Sequence, residues 1–123
     1  MENINSKIEQ DILVIDFKDA HITGDQYCLQ LGNYIAKLVK ETEAKGLLLD
    51  FERVQMFASP MIGQVISLRN KCKQQGLPFC ACRIGDNAIR AVRLMRLEEI
   101  FDNHDCKDKA IEKLQSVAAK NGN

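Results

Sequence analysis

The chain has 123 residues, 46% of them hydrophobic, with 17 basic and 17 acidic side chains and a formal net charge of zero. That size and apolar content suit one domain with its own core, spanning residues 1–123, with 1–6 and 120–123 expected to fray. The even charge argues against general attraction to nucleic acid or to an anionic membrane, so a partner is expected to be chosen by shape and local charge.

Met1-Glu2-Asn3-Ile4-Asn5-Ser6 lacks the apolar core of a signal peptide, and no apolar run approaches the ~20 residues of a membrane span. A cytoplasmic location is expected. The five cysteines, at 28, 72, 80, 82 and 106, cannot all pair within the chain and read as reduced thiols. Cys80 and Cys82 share one face of a strand and read as small core residues. His104-Asp105-Cys106 has no second pair of ligands at zinc spacing and reads as a solvated loop, so no metal or cofactor is expected.

In chain order, Ile8 to Gln10 and Ile12 to Phe17 are β-prone runs separated by Asp11, which predicts an opening hairpin. Tyr27, Leu31, Ile35, Leu38 and Thr42 recur at helical spacing and predict a long amphipathic helix closed near Gly46. Leu47-Leu48-Leu49-Asp50-Phe51 is the unbroken apolar run of a central strand covered on both faces, with Asp50 near its carboxyl end.

A second helix follows, with Met61, Val65, Leu68 and Cys72 in one stripe, Ile62 and Ile66 beside it, and Gln64, Ser67, Asn70, Lys71 and Lys73 facing away. Gly76 is placed to end it. Pro78 to Cys82 predicts another strand, Asp86 or Asn87 a cap for a short helix through Ala88, Val92 and Leu94, and Asp108 the start of a last helix burying Ala110, Ile111, Leu114, Val117 and Ala118. Leu97 to Phe101 fits either helix or loop. This order predicts an α/β fold, a mixed sheet of about four to five strands with about four helices packed over it.

The functional loop is expected at the carboxyl end of the central strand, where Val54 to Gly63 hands over to the second helix. Ser59 stands before Pro60, which suits the opening turn of a helix, so Ser59 reads as an N-cap. Helix starts also favour phosphate, and the N–H groups of Met61 and Ile62 are candidates to hold one. Asp50 reads equally as a solvated strand-end carboxylate or as part of a partner surface. Gly63, costly in a helix interior, suggests close approach by backbone or partner. Met56, Phe57 and Met61 suit a protein contact, with core burial at least as well supported for Phe57. Arg83, Arg90, Arg93 and Arg96 lie among Asp86, Glu98, Glu99 and Asp102 and read as a solvated face.

From about Ile8 to Leu114, the chain resembles the STAS domain, the family of bacterial anti-sigma factor antagonists and of the cytoplasmic domains of sulfate transporters. The resemblance rests on Leu48-Leu49-Asp50-Phe51, Val54, the Ser59 loop, Gly63, Gly76, Arg83-Ile84-Gly85-Asp86-Asn87-Ala88-Ile89 and Leu94 to Phe101. It implies that Ser59 is a phosphorylation site and that Asp50, Phe57, Ala58, Ser59, Met61, Ile62 and Gly63 form a partner surface. Ala58 stands where the family pattern has aspartate, and Met61 where it has glycine.

The function implied is a non-enzymatic anti-sigma factor antagonist that binds an anti-sigma factor or serine kinase and is switched by phosphate on Ser59; a homo-oligomer is compatible with it. The alternative is a constitutive STAS scaffold or complex subunit that is never phosphorylated. A serine hydrolase using His21 or His104 is disfavoured, because no Gly-x-Ser-x-Gly elbow surrounds Ser59. A phosphate or nucleotide ligand at the helix start stays open as a reading, although the chain has neither a Walker-type nor a dinucleotide motif.

Overall fold

The computed structural model describes residues Met1–Asn121. The chain opens with β1 (Ile4–Glu9) and β2 (Ile12–Phe17), an antiparallel hairpin closed by Gln10 and Asp11. Both turn residues have positive φ, 51° and 71°, the mirror-image turn whose twist matches a two-residue hairpin. The first strand starts at Ile4, which is buried, so residues 4–6, expected to fray, are instead paired with Ile15 to Phe17. At the other end, residues 120 and 121 belong to the last helix, and 122–123 lie outside the described residues.

From β2 the chain passes through β3 (His21–Ile22) and α1 (Asp25–Glu41) to β4 (Leu47–Asp50). It continues through β5 (Met56–Phe57) and α2 (Ser59–Gln74) to β6 (Phe79–Cys82). Two short helices, α3 (Asp86–Leu94) and α4 (Glu98–Phe101), lead to β7 (Asn103–His104) and then to α5 (Lys107–Asn121). The sheet order is β1-β2-β4-β6-β7, parallel except for the opening pair, with β3 and β5 forming a separate parallel ladder. His104 is therefore on an edge strand rather than in a solvated loop; two residues are too short a run to show alternation.

The pleat explains the apolar run of the central strand. Leu13, Ile15, Leu47, Leu49 and Ala81 face α1 and α2, whereas Val14, Leu48, Cys80 and Cys82 face Ala110, Ile111 and Leu114 of α5. Covered on both sides, β4 has no polar face to show. Cys80 and Cys82 are packing residues; burial pushes the Cys80 thiol up to about 12.

On α1 the buried stripe is Cys28, Leu31, Gly32, Ile35 and Val39, rotated from the predicted one, so Tyr27 and Leu38 sit at its margin. Thr42 is the C-cap, its hydroxyl donating to the Leu38 carbonyl at 2.8 Å. Gly32 is buried because α2 crosses there: an added Cβ would lie 1.9 Å from Gln64 Oε1. Gln64 thus lies over α1 instead of facing away. The predicted stripe of α2 is buried as expected, and Gly76, at φ 72°, ends the helix with Leu77 N–H bonded to Cys72 O at 2.8 Å and Gly76 N–H to Lys73 O at 3.1 Å. No side chain caps α3, and its Leu94 is 80% exposed rather than buried.

Candidate functional site

The loop from Asp50 to Gly63 crosses the carboxyl end of the sheet and is anchored at both ends. Phe51 N–H donates to Cys82 O at 3.0 Å, and Gln55 and Met56 N–H donate to Ala20 O at 2.8 and 3.2 Å. The β3–β5 ladder pairs Ile22 with Phe57, and Ala58 N–H continues it onto Ile22 O at 2.9 Å. Beneath the loop, Phe17, Phe51, Phe57 and Phe101 form a chain of rings with centroids 5.0, 5.3 and 6.0 Å apart. These contacts make the loop a fixed platform.

Ser59 is exposed in the first turn of α2, but it is not the cap. Ala58, extended at φ −85° and ψ 168°, holds that position, and its carbonyl accepts from Met61 N–H at 2.9 Å and Ile62 N–H at 3.3 Å. The helix has no side-chain cap bond, so the Ser59 hydroxyl is not committed to capping. The N–H groups of Met61 and Ile62, expected to be free for a phosphate, are occupied by the Ala58 carbonyl, and Pro60 has none.

Burial divides the residues expected at a partner surface. Phe57 is buried over the ring chain, Met61 and Ile62 are the first core positions of α2, and Asp50 is 2% exposed. These four shape the loop from below instead of offering surface. Ser59 and Gly63 are exposed and Ala58 half-buried. Nothing lies within 4 Å of a Cβ placed on Gly63, so the close backbone approach expected there is absent and the position faces open space.

Asp50 is held by a residue that sequence spacing could not connect to it. Arg83 meets it as a fork, Nε to Oδ1 at 3.1 Å and a terminal nitrogen to Oδ2 at 2.5 Å, and that nitrogen also lies 2.8 Å from Glu52 Oε2. Glu52 N–H donates to Asp50 Oδ1 at 3.1 Å. Arg83 leaves the solvated arginine face expected of it because β4 and β6 are neighbours in the sheet, with Asp50 opposite Cys82. Its backbone is left-handed, φ 58°, fixed by Arg83 N–H to His104 O at 2.8 Å and Ile84 N–H to Asn103 Oδ1 at 3.1 Å. The hydrogen bonds that Arg83 donates to the Asp50 carboxylate raise the guanidinium pKa. Burial, then the Asp50 charge, pushes the Cys82 thiol up.

Among the described residues no hydrogen bond joins either histidine to Ser59. His21 is exposed opposite Met56 in the ladder, and His104 Nε2 is 3.3 Å from Asp102 Oδ1 at the β7 edge. Among the described residues no group of three or more His, Cys, Asp or Glu side chains could hold a metal ion, and no helix is long and apolar enough to cross a membrane.

No family model matches the chain, and no curated protein matches it in sequence. Solved structures do match it in shape. A serine-to-glutamate variant of RsbS from Moorella thermoacetica superposes with a TM-score of 0.78 at 19% identity, over 94% of this chain and 97% of that one. The anti-sigma factor antagonist SpoIIAA in its unphosphorylated form gives 0.77 at 12% identity, over 92% and 96%. The phosphorylated form, from Bacillus, gives 0.64 at 13% identity, over 89% and 97%. An anti-sigma-factor antagonist (STAS) domain protein from Planctomyces limnophilus gives 0.76 at 18% identity, over 94% and 97%. At these identities the likeness is one of fold, and it covers about nine-tenths of the chain: the chain has the STAS fold and resembles the anti-sigma factor antagonists.

Proposed function

We propose that this chain is a regulatory, non-enzymatic protein-binding domain that acts as an anti-sigma factor antagonist. In its unmodified form it docks on an anti-sigma factor with serine kinase activity, and phosphate on Ser59 breaks that contact. The observation that carries this reading is the Ser59 hydroxyl itself, exposed on an anchored loop and not used to cap its helix. The likeness to SpoIIAA, a protein solved both with and without its phosphate, supports it.

The local geometry supports one way for such a switch to work. A phosphate brings about −1.5 to −2 charges, which the α2 dipole favours at its amino end. With Pro60 lacking a donor and the Met61 and Ile62 N–H groups engaged, few direct bonds draw the phosphate into the domain. It stays outward, at the rim of the interface, and acts by repulsion and desolvation rather than by refolding the loop.

The test is incubation with an anti-sigma serine kinase and ATP, followed by mapping of the phosphate by mass spectrometry. Phosphate on Ser59 and its loss in Ser59→Ala are expected; phosphate elsewhere contradicts the reading. A constitutive scaffold is the second reading, favoured by Ala58, which leaves no carboxylate immediately before the serine. In that case Ser59→Asp binds the partner as well as the unmodified protein does.

A further inference from the structure

Burial takes Asp50, Phe57, Met61 and Ile62 out of the surface around Ser59, which leaves room for contacts contributed by other elements. We propose that the docking surface runs from Ser59 past Met56 to the exposed end of α3, where Leu94 and Met95 stand between Arg90, Arg93 and Arg96, and that it receives a partner segment presenting apolar side chains among carboxylates. This rests on the regulatory reading above and names the chemistry of its partner.

Among the described residues, six large hydrophobic side chains are exposed, and three of them belong to this surface: Met56 at 51%, Leu94 at 80% and Met95 at 51%. The core does not require them. Ala88 and Val92 are the buried residues of α3, and Leu97 beyond the turn packs against the core. The turn between is firmly made: Arg96 is left-handed at φ 56°, its N–H bonded to Arg93 O at 3.0 Å, and Leu97 N–H bonded to Val92 O at 3.0 Å. A helix ending usually given to glycine is built here with arginine, and it holds Leu94 and Met95 outward in a fixed arrangement.

Position and charge point to the occupant. Parallel strands β4 and β6 both deliver their loops to the carboxyl end of the sheet; α3 follows β6 there and packs against β5, which leads into Ser59. Arg90, Arg93 and Arg96 are exposed, and none lies within ion-pair distance of a carboxylate among the described residues, although Asp86, Glu98 and Glu99 are near in sequence. Methionine and arginine around an exposed leucine are the residue types that concentrate at protein interfaces, and unspent guanidinium groups select carboxylates. The same sign explains the switch: a partner chosen for its negative charge is repelled when Ser59 gains a phosphate.

The experiment measures binding of the full chain to the serine kinase that phosphorylates it, by calorimetry at two salt concentrations. The proteins compared are the wild type, the double variant Leu94→Ser with Met95→Ser, and Arg93→Glu. Both variants are expected to bind about tenfold more weakly or worse, with Arg93→Glu also flattening the salt dependence. The altered side chains are exposed, so unchanged circular dichroism and melting confirm that folding is intact. In the ¹⁵N spectrum of the wild type, bound kinase should perturb Met56, Arg93, Leu94 and Met95. Equal binding by wild type and variants, with Ser59 still phosphorylated, overturns this surface and leaves the switch standing. A wild type that is neither bound nor phosphorylated overturns both.

Discussion

The Arg83 guanidinium grips the Asp50 carboxylate with two parallel hydrogen bonds, of 3.1 and 2.5 Å, joining the loops that leave two neighbouring strands. Asp50 is almost wholly buried, while the Arg83 side chain is 32% exposed and has Glu52 as a second partner. The pair is therefore unequal. Arg83→Ala strands a buried carboxylate and should cost about 2 kcal/mol, below the ~3–5 kcal/mol of a fully enclosed pair because water reaches the arginine side. Asp50→Asn leaves Arg83 able to turn to Glu52 or water and should cost less. Urea unfolding of the two variants checks the order; a larger loss for Asp50→Asn contradicts it.

Gly63 and Gly32 should respond oppositely to alanine. Gly63 lies in the second turn of α2 with open space around it, so Gly63→Ala should raise stability by up to ~1 kcal/mol through helix propensity. Gly32→Ala must push the Gln64 side chain off the α1 surface and should destabilise the domain. Thermal melts of both variants decide it. If Gly63→Ala is stabilised yet loses kinase binding, the glycine serves the interface and not the fold.

The thiols should separate cleanly. Cys72 is pushed up to about 11 and Cys80 to about 12 by burial, and Cys28 and Cys82 are also raised and buried, whereas Cys106 is half-buried. At pH 8 a thiol reagent should modify Cys106 in the native protein and all five cysteines in urea. Rapid native labelling of Cys80 or Cys82 would contradict their place under α5.

Acid should weaken the contact between the opening hairpin and the last helix. Hydrogen bonding from Lys107, then from Lys7, holds the Glu9 carboxyl below its ordinary value of 4.5. A depressed carboxyl stabilises the fold fully above that ordinary value, and the contribution is lost as pH falls through the lower folded-state value. Glu9→Gln should therefore remove part of the pH dependence of stability below about 4.5 and leave its shape at neutral pH unchanged. Stability curves of the two proteins from pH 3 to 7 test this; identical acid slopes would count against it.

What could be read from the residues follows how local the signal is. Leu47 to Leu49 announces a doubly covered strand because the run is unbroken, and Met61, Val65, Leu68 and Cys72 announce the buried side of α2 because all four are apolar at helical spacing. On α1 two stripes share Leu31 and Ile35, and the choice between them rests on Gly32, which carries no hydropathy signal but admits Gln64. The two-residue strands β3, β5 and β7 are too short for alternation to register. The Asp50–Arg83 pair spans 33 residues and exists only because β4 and β6 are paired. At the loop, Ser59 before Pro60 has the composition of a cap, yet the ladder from Ile22 draws Ala58 into the cap position and leaves the serine free.

The most direct measurement is the affinity of the anti-sigma serine kinase for this chain with and without phosphate on Ser59, made on the same purified protein. The switch predicts that the unmodified protein binds and that the phosphorylated protein binds about tenfold more weakly or not at all. Equal affinity for the two forms would contradict it.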